Sequence, residues 1–225
     1  IGKTLLTIQT ARGLGLKGAR VLVIDLDPEA GLTSLALPDD LAWEGQKTIL
    51  EVVKDGISLQ DAIIPSRFSM VDLLPCRPSA RRYENLTYDI NPKKWMADKI
   101  KDLHQIYDVI FFDVPPNFSR LVASAYLACD IVIMPTLPDK LSIESVGLTI
   151  DDIETEAEKY EAKTPTIRIL PNKFNPGRTA SQEAFHELAR LYSDKLLPFC
   201  IKESADLQNS TNQGKTIFDG YYDKG

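Results

Sequence analysis

The sequence has no apolar run approaching the roughly 18 residues that would suggest a membrane span. It is poor in cysteine: Cys76, Cys129 and Cys200 are the three it has in 225 residues, they lie far apart, and none belongs to a CxxC pair. That spacing excludes a disulfide framework or a zinc cluster as the organising feature and leaves the thiols as small buried hydrophobes of a reducing compartment. Histidine is scarcer still, with His104 and His186 alone. Neither has a second histidine or a cysteine one helical turn away, so no metal-binding helix motif is present. A basic excess is missing as well. Lys and Arg number 26 against 32 Asp and Glu, a net charge of −6, which argues against a dedicated high-affinity nucleic-acid module while leaving room for a local basic patch. With no membrane-length run and a soluble composition, the expectation is a cytoplasmic protein; the chain also begins without Met and in the middle of a motif, so residues are expected to precede Ile1.

Hydrophobic residues make up 44% and charged residues 26% of the chain, the balance of a soluble globular protein, and the length suits one domain over residues 1–225. Apolar, β-branched runs alternate with helical stretches from end to end. The strand candidates are Arg20–Leu26, Met70–Leu74, Asp108–Val114, Asp130–Pro135, Thr166–Leu170 and Leu196–Ile201; the helix candidates are Thr4–Leu16, Pro92–Ile106, Ser119–Ala128, Ser142–Lys163 and Thr179–Tyr192. Near-continuous hydrophobicity in most strands implies cover on both faces. The fold class predicted is therefore α/β, a doubly wound, mostly parallel sheet with helices on both faces. The least regular region runs from Pro38 to Tyr88, where insertions or loops are expected rather than a second domain.

Gly-Lys-Thr occurs twice, at Gly2-Lys3-Thr4 and at Gly214-Lys215-Thr216. A phosphate-binding loop uses glycine-rich backbone to aim N–H groups at phosphates, a helix N-terminus to add positive potential, a lysine to reach the β/γ oxygens and a hydroxyl to hold Mg²⁺. The tripeptide must then open a helix that returns into a strand. The first copy meets that demand; the second runs out after a few residues and reads as a loop or helix cap. Of the full pattern GxxxxGKS/T only the last three residues are present in the first copy. Two further features support it. Asp25-Leu26-Asp27-Pro28 and Asp113-Val114-Pro115-Pro116 each follow the end of an apolar strand, where open α/β sheets bind ligands.

The succession GKT, RVLVIDLDP, YDVIFFDVPP, CDIVIMPTLP resembles the deviant-Walker ATPases of the ParA/MinD family, whose usual forms are KGGxGKTT, xxDxDPQ, YDxIxxDxPP and AxxxxxPxxP. The segment ILPNKFNP and the closing stretch are similar to the family too, so the likeness covers nearly the whole chain and is weakest from Pro38 to Tyr88. The resemblance implies a phosphate-binding Gly2, Lys3, Thr4 and backbone of Leu5, with Lys3 acting in catalysis and Thr4 and Asp113 holding Mg²⁺. It implies that Asp27 orients the attacking water and that Asn172 contacts adenine. It also implies that the central strand, the start of the phosphate loop and the family's signature lysine lie before Ile1. Glu29-Ala30-Gly31 replaces the family's Gln-Gly-Asn, adding a negative charge near the expected γ-phosphate.

ATP and Mg²⁺ are the cofactors that the resemblance implies. The function it implies is a slow ATPase that dimerises with ATP, binds DNA without sequence preference, and partitions DNA or positions a cargo under a ParB-like adaptor. Such a protein is nucleoid-associated when ATP-bound. Candidate DNA contacts are Arg178, Lys202 and Lys215, with Arg77, Arg81 and Arg82 as an outlying cluster. Three alternatives stand beside it: a MinD-like membrane-cycling ATPase, disfavoured by the ending IFDGYYDKG, short and neither basic nor periodic, unless the chain continues past it; a ligase, amidation enzyme or iron–sulfur carrier on the same loop; and a degenerate, non-hydrolysing nucleotide-binding relative.

Overall fold

The computed structural model describes residues 2–41, 45–78 and 90–219. These form two compact units, one of residues 4–125 and 206–219, the other of residues 2–3 and 126–205.

In the first unit four strands form one sheet in the order β2 (Ile64–Pro65), β3 (Val71–Leu74), β1 (Val21–Asp25), β4 (Val109–Asp113). β3, β1 and β4 are parallel and β2 is antiparallel to β3. Val21 and Val23 of β1 pack in a cluster with Ile8 and Ala11 of α1 (Lys3–Leu16) and with Leu32 and Ala36 of α2 (Gly31–Ala36). Strand alternation sends Leu22 and Ile24 to the opposite face, and both are fully buried. β1 is thus covered on both sides, as its unbroken apolar run requires. Lys17 and Gly18 stop α1, with the N–H groups of Lys17, Gly18 and Ala19 taking the carbonyls of Leu14 and Gly15.

The stretch expected to be irregular holds more order than its sequence suggests. α3 (Ile49–Lys54) starts from a capping box in which Thr48 and Glu51 exchange bonds, and Arg77 reaches Glu51 at 2.6 Å and the Gln46 carbonyl at 3.1 Å. Elements of six residues or fewer leave too little periodicity to be read from sequence. Conversely, the helix expected over Pro92–Ile106 contracts to α4 (Trp95–Ile100) and a 3-10 turn at 103–105. Asn91 is the cause: its side-chain oxygen accepts from the Lys93 N–H and its carbonyl from those of Lys94 and Trp95, which makes residues 91–94 a turn.

α5 (Arg120–Ala128) precedes the strands of the second unit. There β5 (Ile131–Thr136) and β6 (Thr166–Pro171) pair in parallel over six residues. Val132, Ile167 and Ile169 pack with Ile143, Val146, Ile150 and Ile153 of α6 (Lys140–Lys159) and Leu188 of α7 (Thr179–Tyr192). Asp139 caps α6 by accepting the Ser142 N–H at 2.9 Å. Ile131 and Ile133, on the other face of β5, are 56% and 50% exposed, so this strand departs from the two-sided cover its sequence predicts. The strand expected over Leu196–Ile201 is reduced to isolated bridges, Ile169 to Leu196 and Phe174 to Lys202. Pro198 has no N–H to give a continuous ladder.

Candidate functional site

Parallel register carries β1 and β4 to a common end, where Asp25 stands opposite Asp113. Both carboxylates are buried. Beyond that pair the Leu26 N–H still donates to the Asp113 carbonyl, at 2.9 Å, so the chain enters the Asp27 turn directly from the ladder. Asp27 is half-buried; its N–H donates to Asp25 Oδ1 at 3.0 Å and its own Oδ1 accepts the Glu29 N–H at 2.9 Å. Ala30 follows with φ 55 and caps α2 without any side-chain bond. The vacant capping role falls to Asp25, whose Oδ2 accepts both the N–H and the hydroxyl of Thr33, at 2.9 and 2.7 Å. Burial, and secondarily the charge of Asp113, push the Asp25 carboxyl up to about 7 against the pull of these three donors.

The sequence shows Asp25 only as part of the Asp25-Leu26-Asp27-Pro28 motif and gives neither it nor Thr33 a role of its own. The signal for Asp25 is its place near the end of the apolar strand, two residues before Asp27; Thr33 carries none beyond a hydroxyl in the first turn of a short helix.

Thr4 lies in the first turn of α1, and its methyl and hydroxyl are 3.6 and 3.9 Å from where a Cβ on Gly31 would sit. The β1–α2 turn therefore comes close to the head of the helix, with a glycine where it passes. In the second unit Gly2 has φ +88, and a Cβ there would lie 2.7 Å from Asn172 Nδ2. Asn172 ends beyond β6, buried, with its N–H on the Thr136 carbonyl and its Oδ1 accepting from the Lys173 N–H; Lys173 itself has φ 54. Lys3 and Leu5 belong to the opening turn of α1, where backbone N–H groups lack intrahelical acceptors.

In the second unit Gly2 has a backbone that no Cβ crowds, of the kind a phosphate can approach; in the first, Thr4 and Asp113 carry hard oxygen donors of the type that Mg²⁺ takes few of, keeping waters and substrate phosphates for the rest. Among the described residues no group of three or more His, Cys, Asp or Glu is placed to hold a metal ion.

The second Gly-Lys-Thr is a helix cap. α8 (Ala205–Asn212) ends there, Gly214 has φ +66, and the Lys215 N–H returns to the Ser210 carbonyl at 2.8 Å. Of the candidate DNA contacts, Arg178 and Lys202 are exposed in the second unit and Lys215 is exposed in the first. Arg178 lies 4.0 Å from Glu203. Arg77 is half-buried against Glu51, and Arg81 and Arg82 lie outside the described residues.

A parallel α/β fold with carboxylates at the strand ends and a Gly-Lys-Thr heading the first helix defines a protein of the P-loop nucleoside triphosphatase type. A family model described as an AAA domain matches residues 1–166, and the chain belongs to that family, among the ParA/MinD-type P-loop ATPases. It is 27% identical over 221 residues to the cell division protein PomZ of Myxococcus xanthus, covering 96% of this chain and 68% of PomZ. Among solved structures it resembles a Cyanothece McdA complex with ATP, with a TM-score of 0.85 and 22% identity over 99% of this chain and 86% of the other. It also resembles a putative plasmid partition protein of Borrelia burgdorferi bound to AMPPNP, with a TM-score of 0.76 and 22% identity over 96% of this chain and 85% of the other. Among the described residues no helix is long and apolar enough to cross a membrane.

Proposed function

We propose that this chain binds ATP with Mg²⁺ and hydrolyses it slowly, as a dimerisation switch that partitions DNA or positions another cargo. The observation that carries the reading is the alignment of Asp25 and Asp113 at the ends of adjacent parallel strands, with Asp27 tied to the first of them and Thr4 beside the same turn. The likenesses to a cell division protein and a partition protein support the cargo-positioning part. The ATP and AMPPNP complexes of the structural relatives support the nucleotide.

In this reading the backbone at Gly2 and the head of α1 receive the phosphates, Lys3 meets their β/γ oxygens, and Asn172 contacts the base. Thr4 and Asp113 would hold Mg²⁺, which when bound supplies charge neutralisation on the transferring phosphoryl group. Asp27 orients the attacking water, and its carboxylate direction is set by the Glu29 N–H. The ATP form then exposes a dimer face and a weak, salt-sensitive DNA surface, and an adaptor that speeds hydrolysis resets it.

The test is size-exclusion chromatography with light scattering, with and without ATP, alongside phosphate release. Wild type is expected to dimerise with ATP and turn over slowly. Lys3→Ala should stay monomeric and bind no ATP, whereas Asp27→Ala should hold ATP as a dimer without releasing phosphate. Unchanged turnover in Asp27→Ala would remove Asp27 from its role.

A further inference from the structure

Thr33 is fully buried in the first turn of α2, far in sequence from Cys76 two residues past the end of β3, and its hydroxyl joins the two segments. It accepts the Cys76 N–H at 2.9 Å and donates to Asp25 Oδ2 at 2.7 Å, while its own N–H donates to the same oxygen at 2.9 Å. The other oxygen of Asp25 accepts the Asp27 N–H at 3.0 Å. A continuous chain of hydrogen bonds therefore runs from the β3 end through Thr33 and Asp25 to the backbone of Asp27.

We propose that Thr33 is a positioning residue for ATP hydrolysis: its hydroxyl locks the Asp25 carboxylate against the β3 end and so sets where Asp27 presents its carboxylate. The inference rests on the ATPase reading above and deepens it. The physical grounds are three. A carboxylate held by one donor can rotate about its last bond, but one held by two donors from the same residue and a third from Asp27 has a single orientation. α2 has no capping side chain of its own, so Asp25 and Thr33 together determine where the helix starts and hence the shape of residues 27–30. A donor-only or apolar replacement cannot serve, because the hydroxyl must accept from Cys76 and donate to Asp25 at once.

Loss of the hydroxyl should act on the chemical step rather than on nucleotide affinity, since nothing in this chain of bonds includes the residues assigned to phosphate binding. Valine is the matched probe: it keeps the β-branch and volume of threonine and removes only the bonds. Serine restores the hydroxyl without the methyl, and cysteine supplies a weak donor and acceptor in its place.

The experiment is steady-state phosphate release in the full-length protein, with ATP affinity measured separately by a fluorescent analogue, for wild type, Thr33→Val, Thr33→Ser, Thr33→Cys and Asp27→Ala. Thr33→Val is expected to lose about tenfold or more in kcat with ATP affinity within about threefold of wild type. Thr33→Ser should return to within about threefold in kcat, and Thr33→Cys should fall between; if Thr33→Val does not fold, the serine and cysteine variants carry the ranking. A valine variant with wild-type kcat, a loss shared equally by affinity and kcat, or a serine variant no better than cysteine overturns the positioning role while leaving the ATPase intact. A wild type no faster than Asp27→Ala removes Asp27 from its role and overturns the positioning proposal alone, whereas a wild type that releases no phosphate above the protein-free rate overturns the ATPase reading and the proposal with it.

Discussion

Asn172 Nδ2 stands 2.7 Å from the point where a β-carbon on Gly2 would lie. Gly2 also has φ +88, a conformation that costs an L side chain about 1–2 kcal/mol. Gly2→Ala must therefore either displace the Asn172 amide or abandon the backbone shape that would face a phosphate. ATP affinity is expected to fall about tenfold, equivalent to roughly 1.4 kcal/mol, with a fall of a few degrees in thermal midpoint. Equilibrium binding of a fluorescent ATP analogue measures it, and an unaltered affinity would detach Gly2 from the phosphate loop.

The buried Asp25 carboxyl gives stability a definite pH dependence. Its ordinary value is 3.8 and in the fold it stands at about 7, mainly through burial. The folded chain keeps a proton that the unfolded chain has released, so the stabilisation is full below about pH 4 and is lost as pH rises through about 7. Nucleotide-free wild type should lose several kcal/mol relative to Asp25→Asn across that window. Urea unfolding of both proteins from pH 4.5 to 8 tests it, and parallel profiles would remove Asp25 as the cause.

Glu29 is exposed, and its N–H holds Asp27 Oδ1. Its side chain adds a negative charge beside the residue assigned to the attacking water. Glu29→Gln keeps the backbone bond and removes that charge. A several-fold rise in phosphate release is expected, largest at low ionic strength, where charge repulsion is least screened. A rate that does not change with the substitution at any salt concentration would place the Glu29 carboxylate away from the reacting phosphate.

Arg178 and Lys202 are exposed in one unit and Lys215 in the other. The Arg178–Glu203 pair is a surface contact at 4.0 Å, of a kind worth about 0–1 kcal/mol, and a DNA phosphate can replace it. Each residue that neutralises a phosphate should contribute about 0.9 to the slope of log affinity against log salt. Anisotropy titrations of labelled duplex with the ATP-bound protein should show that slope reduced by about one for Arg178→Ala and for Lys202→Ala. Slopes equal to wild type would assign those side chains to ordinary solvated surface.

The legible part of this protein is the part in which neighbours in sequence decide the outcome. Arg20–Leu26 and Asp108–Val114 are apolar runs bounded by polar residues, and each forms a strand within those bounds, β1 and β4. The helix over Thr4–Leu16 ends at Lys17-Gly18, as its sequence predicts, because a helix terminus is a local hydrogen-bonding problem. Short elements escaped for the converse reason: α3 depends on a capping box and on Arg77 reaching Glu51 from a distant segment. Proline at 198 and the turn at Asn91 trim elements that periodicity alone makes longer.

The sequence by itself determined the α/β class, the strand end that carries Asp113, the turn after β1 that carries Asp27, and the glycine and lysine at the head of the first helix, since all are written within windows of a few residues. Only the tertiary structure decided that Asp25 faces Asp113, that Thr33 serves Asp25 and Cys76 together, and that Asn172 rests against Gly2. Those relationships join residues far apart in the chain. They depend on which strands pair and in what register, a choice made by burying whole faces at once rather than by any local preference.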